Sequence, residues 1–406
     1  MVEFAAHRDG LLPSLVGVAG DCLVPPASLN GCAAVPYLKM LAAHVAGGSP
    51  LENSRIRVLA TLNPLRRSHC DAHVVRNLLA FYLAHVIAAT EDFIRTRSPW
   101  RDFNFTPGNE NDFLIFQLAV PTGLLTDNGA TEKLFQEAFI AAYELRREVS
   151  ADMSDQKSHS RWSEQVANVL ACEQSVLNER FKWQCLLYPE VAAAVQTVFR
   201  SPNARDGLYI TMDVGAGTVD LNAFLRFTGH HTEHRPVANA VRRLDYYAAI
   251  VRPLGVQNLN DPHQAVEHMN EGQLMHELRT NLQTLYLHAK HYQPNQGFEP
   301  GHRTWDRATL FIFGGGSQHH GYRENFAAGM ERAGIYSPQI QNLPAAQDLV
   351  RANGVDFGRF AVAYGLSFFR PSLDHVRLPN ELTPFHVLYP TANEQPPRQY
   401  GFNWDD

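Results

Sequence analysis

The chain has 406 residues, 45% of them apolar, and a net charge of −6 with lysine and arginine scattered along it. That length allows two or three structural units with filled cores, and the scattered charge excludes a nucleic-acid partner, the arginine pairs at 66–67, 146–147 and 242–243 reading as solvated helix faces. Five cysteines (Cys22, Cys32, Cys70, Cys172, Cys185), an odd number with no CxxC spacing, exclude a disulfide frame and a zinc site and fit reduced thiols in a soluble, cytoplasmic protein.

Val2–Ala6 begins like a strand, and residues 9–20 turn at Asp9-Gly10 into another short strand. The apolar run ending at Cys22 is not an export signal. Pro13 interrupts it, Asp21 sits where a small residue is required, and Glu3 and Asp9 spoil a basic lead-in. From His73 to Ile94 apolar residues recur at three and four, which predicts a long core helix. Its most apolar part, Leu78–Ala89, carries His85 and reads as too short to span a bilayer, so no membrane is expected.

A strand over Phe113–Val120 closes at Pro121-Thr122-Gly123, and a helix runs from about Ala130 to Arg147. Polar residues 148–163 read as loop and Glu164–Val176 as helix. In residues 188–194, YPEVAAA, Pro189 stands where a first helical turn accepts it, and the alanines let two backbones approach closely.

The stretch GLYITMDVGAGTVDLNAFLR, 207–226, organises the chain. It predicts a strand over Leu208–Met212, a tight turn through Asp213-Val214-Gly215-Ala216-Gly217-Thr218 and an antiparallel return over Val219–Phe224. A variable stretch then runs to about residue 270, followed by a helix over Leu274–His291. Thr309–Phe313 reads as a buried strand emptying into Gly314-Gly315-Gly316-Ser317 and then a helix over Gly321–Ala333. Phe357–Phe369 is the last helix, and from Pro371 the chain reads as a proline-punctuated tail.

Glycines at 215 and 217 allow φ > 0 and let backbone N–H groups converge, which turns a bend into an anion nest that fits a phosphate. Asp213 and Asp220 can hold a hydrated Mg²⁺ beside that phosphate, and the Thr218 hydroxyl can donate to a terminal phosphoryl oxygen. The triple glycine can lie flat against a nucleoside or receive a phosphate at the helix start. A glycine-rich hairpin with turn aspartates and a close helix–strand packing turn are the plain structural alternatives.

Taken in order, these pieces resemble the nucleotide-binding domain of the DnaK-type, seventy-kilodalton heat-shock chaperones, in the superfamily that also holds actin and the sugar kinases. DVGAGTVD (213–220) is similar to the family's second phosphate motif, YPEVAAA (188–194) to its first connecting helix, FGGGS (313–317) to its adenosine loop and FAVAYG (360–365) to its second connecting helix. VEFAAHRDGLLPSLVGV (2–18) and LAVPTG (118–123) are similar to its third strand and its Val-Pro strand end.

The resemblance implies a two-lobed α/β fold of actin-like, ribonuclease-H-like type with ATP and Mg²⁺ in the cleft. Lobe one would be residues 1–205 plus 346–370, lobe two 206–345, and 371–406 a C-terminal tail. Gly215, Ala216, Gly217 and Thr218 would cradle the β- and γ-phosphates, with Asp213 and Asp220 holding Mg²⁺ through water. Gly314, Gly315, Gly316 and Ser317 would border the adenosine, His319 would occupy the adenine-stacking position, and Lys290 would contact the adenosine. Thr218 and Glu190 would be the catalytic positions. Partners would be ATP or ADP and a protein client or co-chaperone.

The sequence also departs from the family. Its first phosphate hairpin is absent, which leaves lobe one incomplete, Val2–Ala6 without a strand partner and an apolar edge uncovered. The expectation is that the true start lies upstream of Met1, and that the chain is an ATPase once that hairpin is supplied. Tyr188 replaces a glutamate ahead of the connecting-helix proline, His319 an arginine, Arg359 an aspartate and Ala216 a glycine. Those changes favour, as the alternative, an interaction protein of the same fold that does not turn ATP over. An actin-like filament protein is the third reading.

Overall fold

A computed structural model describes residues 15–29, 32–35, 38–47, 71–96, 114–125, 129–172, 184–201, 204–215, 218–229, 241–253, 271–291, 308–335, 337–346, 356–368 and 372–382. The fold is mixed α/β, and the chain divides into two compact units. Unit one takes Met1–Leu118 and Asp127–Leu187, and unit two takes Ala119–Thr126 and Tyr188–Trp404. The expected strand Val2–Ala6 lies outside the described residues.

In unit one, strands β1 (Val16–Ala19), β2 (Cys22–Val24) and β3 (Ala33–Val35) form an antiparallel sheet, which β5 (Lys157–Ser158) completes in the order β3-β1-β2-β5. Four helices pack with it: α1 (Leu38–Ala46), α2 (Asp71–Thr96), α3 (Ala130–Leu145) and α4 (His159–Ala171). Helix α2 has 26 residues, so the expectation of a helix too short for a bilayer is corrected. By length and composition α2 could cross a membrane, yet 61% of its apolar window is buried in the protein, as the core helix of a globular unit requires.

Helix α4 begins within the stretch read as loop. The Ser158 side chain caps it, accepting from the Arg161 N–H at 3.4 Å. Phe81 packs edge-on to Trp162, and both rings are fully buried. The chain passes between the two units within β4 (Phe116–Val120) and β6 (Cys185–Pro189), which pair with each other.

Unit two is built on a six-stranded sheet in the order β11-β10-β7-β8-β9-β12. Its strands are β7 (Gly207–Val214), β8 (Thr218–Gly229), β9 (Val241–Pro253), β10 (Thr309–Phe313), β11 (Ile340–Asn342) and β12 (His375–Arg377). The organising hairpin is present: β7 and β8 are antiparallel neighbours with Asp213 opposite Asp220 and Thr211 opposite Asn222. Strand β9 continues antiparallel to β8 with a bulge that sets Tyr247 out of the ladder between Tyr246 and Ala248. β10 is parallel to β7, β11 to β10 and β12 to β9.

Alternation assigns the faces. Tyr209, Phe224, Phe311 and Phe313 share a core with Tyr188, Val191–Val195 and Phe199, from helices α5 (Glu190–Ala194) and α6 (Gln196–Phe199), and with Phe357 and Ala361. The opposite face, with Leu208, Ile210 and Met212, is equally buried, and helices α7 (Glu271–His291) and α8 (His320–Arg332) pack against each other with Gly329 close on Leu282.

The expected last helix breaks at Phe360. A 3-10 turn over Phe357–Arg359 precedes a short α9 (Ala361–Leu366). Gly365 lies so close to Ala193 of α5 that any side chain at 365 would overlap the Ala193 carbonyl, the close backbone approach that small residues permit. Residues 188–201 and 356–368, which the resemblance puts in lobe one, pack within unit two. Strand β12 lies in the stretch read as tail. Asp245, 2% exposed, fastens it: Arg377 Nε donates to Asp245 Oδ1 at 2.7 Å and Nη2 to Oδ2 at 2.8 Å, which raises the arginine above its usual pKa.

Candidate functional site

Because β7 and β10 are parallel neighbours with Phe313 beside Asp213, both strands end on the same edge of the sheet. From there the chain turns one way into β8 and the other way through α8 toward β11. In open sheets the edge outside the carboxyl ends of the strands is the usual place for a ligand.

The turn after β7 is closed by the Gly215 N–H donating to the Thr218 carbonyl at 2.9 Å. Ala216 and Gly217, between them, lie outside the described residues, so the expected amide nest is described only at its two ends. Thr218 opens β8, and its hydroxyl donates to Asp220 Oδ2 at 2.8 Å. Asp213, Thr218 and Asp220 are buried, 6%, 7% and 3% exposed, so two carboxylates and a hydroxyl converge in a largely dry place at the sheet's edge.

The triple-glycine loop folds directly onto this group. Gly314 has φ +88°, which favours glycine, and a methyl group there would overlap Asp213 Oδ1 and the Val214 carbonyl. The Gly316 N–H donates to the Val214 carbonyl at 2.9 Å, and a methyl at 316 would run into the Val214 side chain. Thus the structure brings together Asp213, Gly215, Thr218, Asp220, Gly314 and Gly316, and Ser317 is buried just beyond them.

His319 caps α8 by position alone, without a side-chain cap bond. Its ring stacks on His320 at 5.0 Å and meets Tyr322 edge-on at 5.9 Å. Lys290 sits in the last turn of α7. Glu190 is the first residue of α5, half-buried, and the residues after it belong to the core on the Asp213 face. Tyr188 is fully buried, and its hydroxyl donates to the Asp374 carbonyl at 2.9 Å.

Sequence reasoning missed the segment 356–359 as a wall of the site. The Gly358 carbonyl accepts from the Gly314 N–H at 3.3 Å, and Gln318 Nε2 donates to Asp356 Oδ2 at 3.1 Å. The exposed Arg359 side chain lies alongside Gly315. It also missed Thr211 and Asn222, which share the Asp213 face two residue pairs deeper. Their signal was a polar residue at the same phase in each of two apolar strands.

The donor set suits a hydrated Mg²⁺ with a polyphosphate. Mg²⁺ takes oxygen ligands, commonly one or two carboxylates with phosphate oxygens and retained waters making up the rest. A dedicated cage is not required, and no group of three or more metal-ligating side chains occurs among the described residues. Compared with known protein families, curated proteins and solved structures, the chain matches none.

Proposed function

We propose that unit two is an ATP–Mg²⁺-binding module of the actin-like, chaperone-related type. The observation that carries this reading is the convergence of Asp213, Asp220 and the Thr218 hydroxyl where β7 and β8 meet, with Gly314 against them. Two carboxylates would hold the hydrated metal, the Thr218 hydroxyl would keep Asp220 in place, the turn amides would meet phosphate oxygens, and the glycine loop would let the nucleoside approach the backbone. Three antiparallel strands followed by two parallel ones, reached through helices, support a ribonuclease-H-like lobe. Isothermal titration of ATP–Mg²⁺ into the full chain tests the reading. Saturable binding that Asp213→Asn weakens by about 100-fold is expected, and absence of heat and of any thermal shift would overturn it.

Binding without rapid hydrolysis is the second reading, favoured by Tyr188. The position where the resemblance places a water-orienting glutamate holds a phenol that is wholly inside the core and bonded to the Asp374 backbone. Phosphoryl transfer depends on positioning and charge neutralisation, so a site lacking that carboxylate turns over slowly. Nucleotide state would then set a conformation that a protein client or co-chaperone reads. The cytoplasm is the proposed compartment, in keeping with the free thiols of Cys22 and Cys172.

A further inference from the structure

Thr211 and Asn222 face each other across β7 and β8, two residue pairs below Asp213 and Asp220 and so on the same face. Side chains alternate along a strand, so residues 211, 213, 220 and 222 project from one face and form a ladder running inward from the sheet's edge. Thr211 is 0% exposed and Asn222 1%. The Thr211 hydroxyl and both polar atoms of the Asn222 amide have no hydrogen-bond partner among the described residues. The next pair inward on that face, Tyr209 and Phe224, is aromatic and stacked, and Phe311 lies beside Thr211, so packing alone would be served by apolar residues here.

An amide and a hydroxyl kept out of water, beneath two carboxylates, suit a ligand that brings its own donors and acceptors. Mg²⁺ dehydrates reluctantly and is commonly held through its waters, and groups beyond the direct ligands orient that shell. Resting on the ATP–Mg²⁺ reading of this site, we infer that Thr211 and Asn222 hold the water shell of a hydrated divalent cation that Asp213 and Asp220 bind through water. Asn222 Oδ1 and the Thr211 hydroxyl oxygen accept from the cation's waters, whose hydrogens point outward. The ligand is therefore the hydrated ion, and the inner pair selects it over a larger ion, such as Ca²⁺, that sheds water and meets carboxylates directly.

The test titrates Mg²⁺ alone against the full chain, read as a shift in melting temperature, with Ca²⁺ and hexaamminecobalt(III) as second and third probes. The cobalt complex keeps its six ligands and can only bind as a hydrated ion does. It is expected to compete with Mg²⁺. The double variant Thr211→Val, Asn222→Leu should weaken Mg²⁺ by about 10–100-fold, with Ca²⁺ changed far less. Asn222→Ser, which keeps a hydroxyl, should recover part of the loss. Failure of the cobalt complex to compete, which needs no variant, overturns the inference, as does unchanged Mg²⁺ affinity in a folded double variant. If ATP–Mg²⁺ still binds in either case, only the role of the inner pair falls. If the unaltered chain binds neither ATP–Mg²⁺ nor Mg²⁺, the nucleotide reading falls with it.

Discussion

In unit one, several polar groups that leave water are answered by the protein itself. Trp162 Nε1 donates to the Asn77 carbonyl at 3.0 Å, and Asn77 Nδ2 to Ser163 Oγ at 3.0 Å. Arg146 donates to Glu91 at 2.8 Å while its guanidinium lies 3.9 Å over the Tyr143 ring. In unit two, Thr211 and Asn222 are as deeply buried and answered by nothing among the described residues; Thr131 Oγ1 and His85 Nε2 of unit one share that lack, but Thr211 and Asn222 stand in line with Asp213 and Asp220. A polar network that closes on itself belongs to folding. One that stays open in a dry place, beside carboxylates at the end of a strand, is kept for something that arrives.

The sharpest way to break the contrast is to open the closed network. Glu91→Leu leaves Arg146 buried beside an apolar residue and should cost about 3–5 kcal/mol in denaturant unfolding, because an uncompensated buried charge is expensive. Nucleotide and Mg²⁺ binding by the folded fraction should be unchanged.

His85 gives the next largest effect. It is buried against Phe81, its Nδ1 lies 3.3 Å from the Ser150 carbonyl, and burial lowers its pKa from 6.5 to about 4. Asp152 and Asp155 push that pKa back up and Lys157 pushes it down, both weaker than burial. The folded state holds the neutral ring, so the unfolded chain binds more protons between those two values. Stability is full above about pH 6.5 and is lost as pH falls toward 4, by roughly 3 kcal/mol. Wild type and His85→Phe, unfolded across pH 4–7, should differ by that pH-dependent part, and parallel curves would refute it.

On the open side the readout is binding. Asp213→Asn should weaken ATP–Mg²⁺ by about 100-fold, roughly 2.7 kcal/mol, while unfolding stability moves little. Thr218→Val removes the hydrogen bond to Asp220. It should cost about 1 kcal/mol, roughly fivefold in ATP–Mg²⁺ affinity by titration, with Thr218→Ser close to wild type.

Much of this was legible because it rests on period. The hairpin 207–226, the strand 309–313 and the helices near 73–94 and 130–147 each repeat apolar residues at the spacing their structure needs. Strand β9 was illegible because Arg242, Arg243 and Asp245 look like a solvated surface. In the fold Asp245 is buried and paired with Arg243 and Arg377, a satisfaction that depends on a residue more than a hundred positions away. Helix α4 was entered late because its first residues are polar and its start is set by one Ser158 cap. At the site, the paired aspartates and the glycine loops were readable, whereas Thr211 and Asn222 matter only once the strand register aligns them.

Strand β9 runs for thirteen residues, and among the described residues His375–Arg377 is what pairs with its outer side, held by one forked guanidinium. An edge strand that loses its neighbour is a template on which a second molecule can lay its own backbone. The segment around residue 375 therefore acts as a guard rail. A chain cut ahead of it would bare Arg243–Asp245 as a pairing edge, and self-association through that stretch should rise.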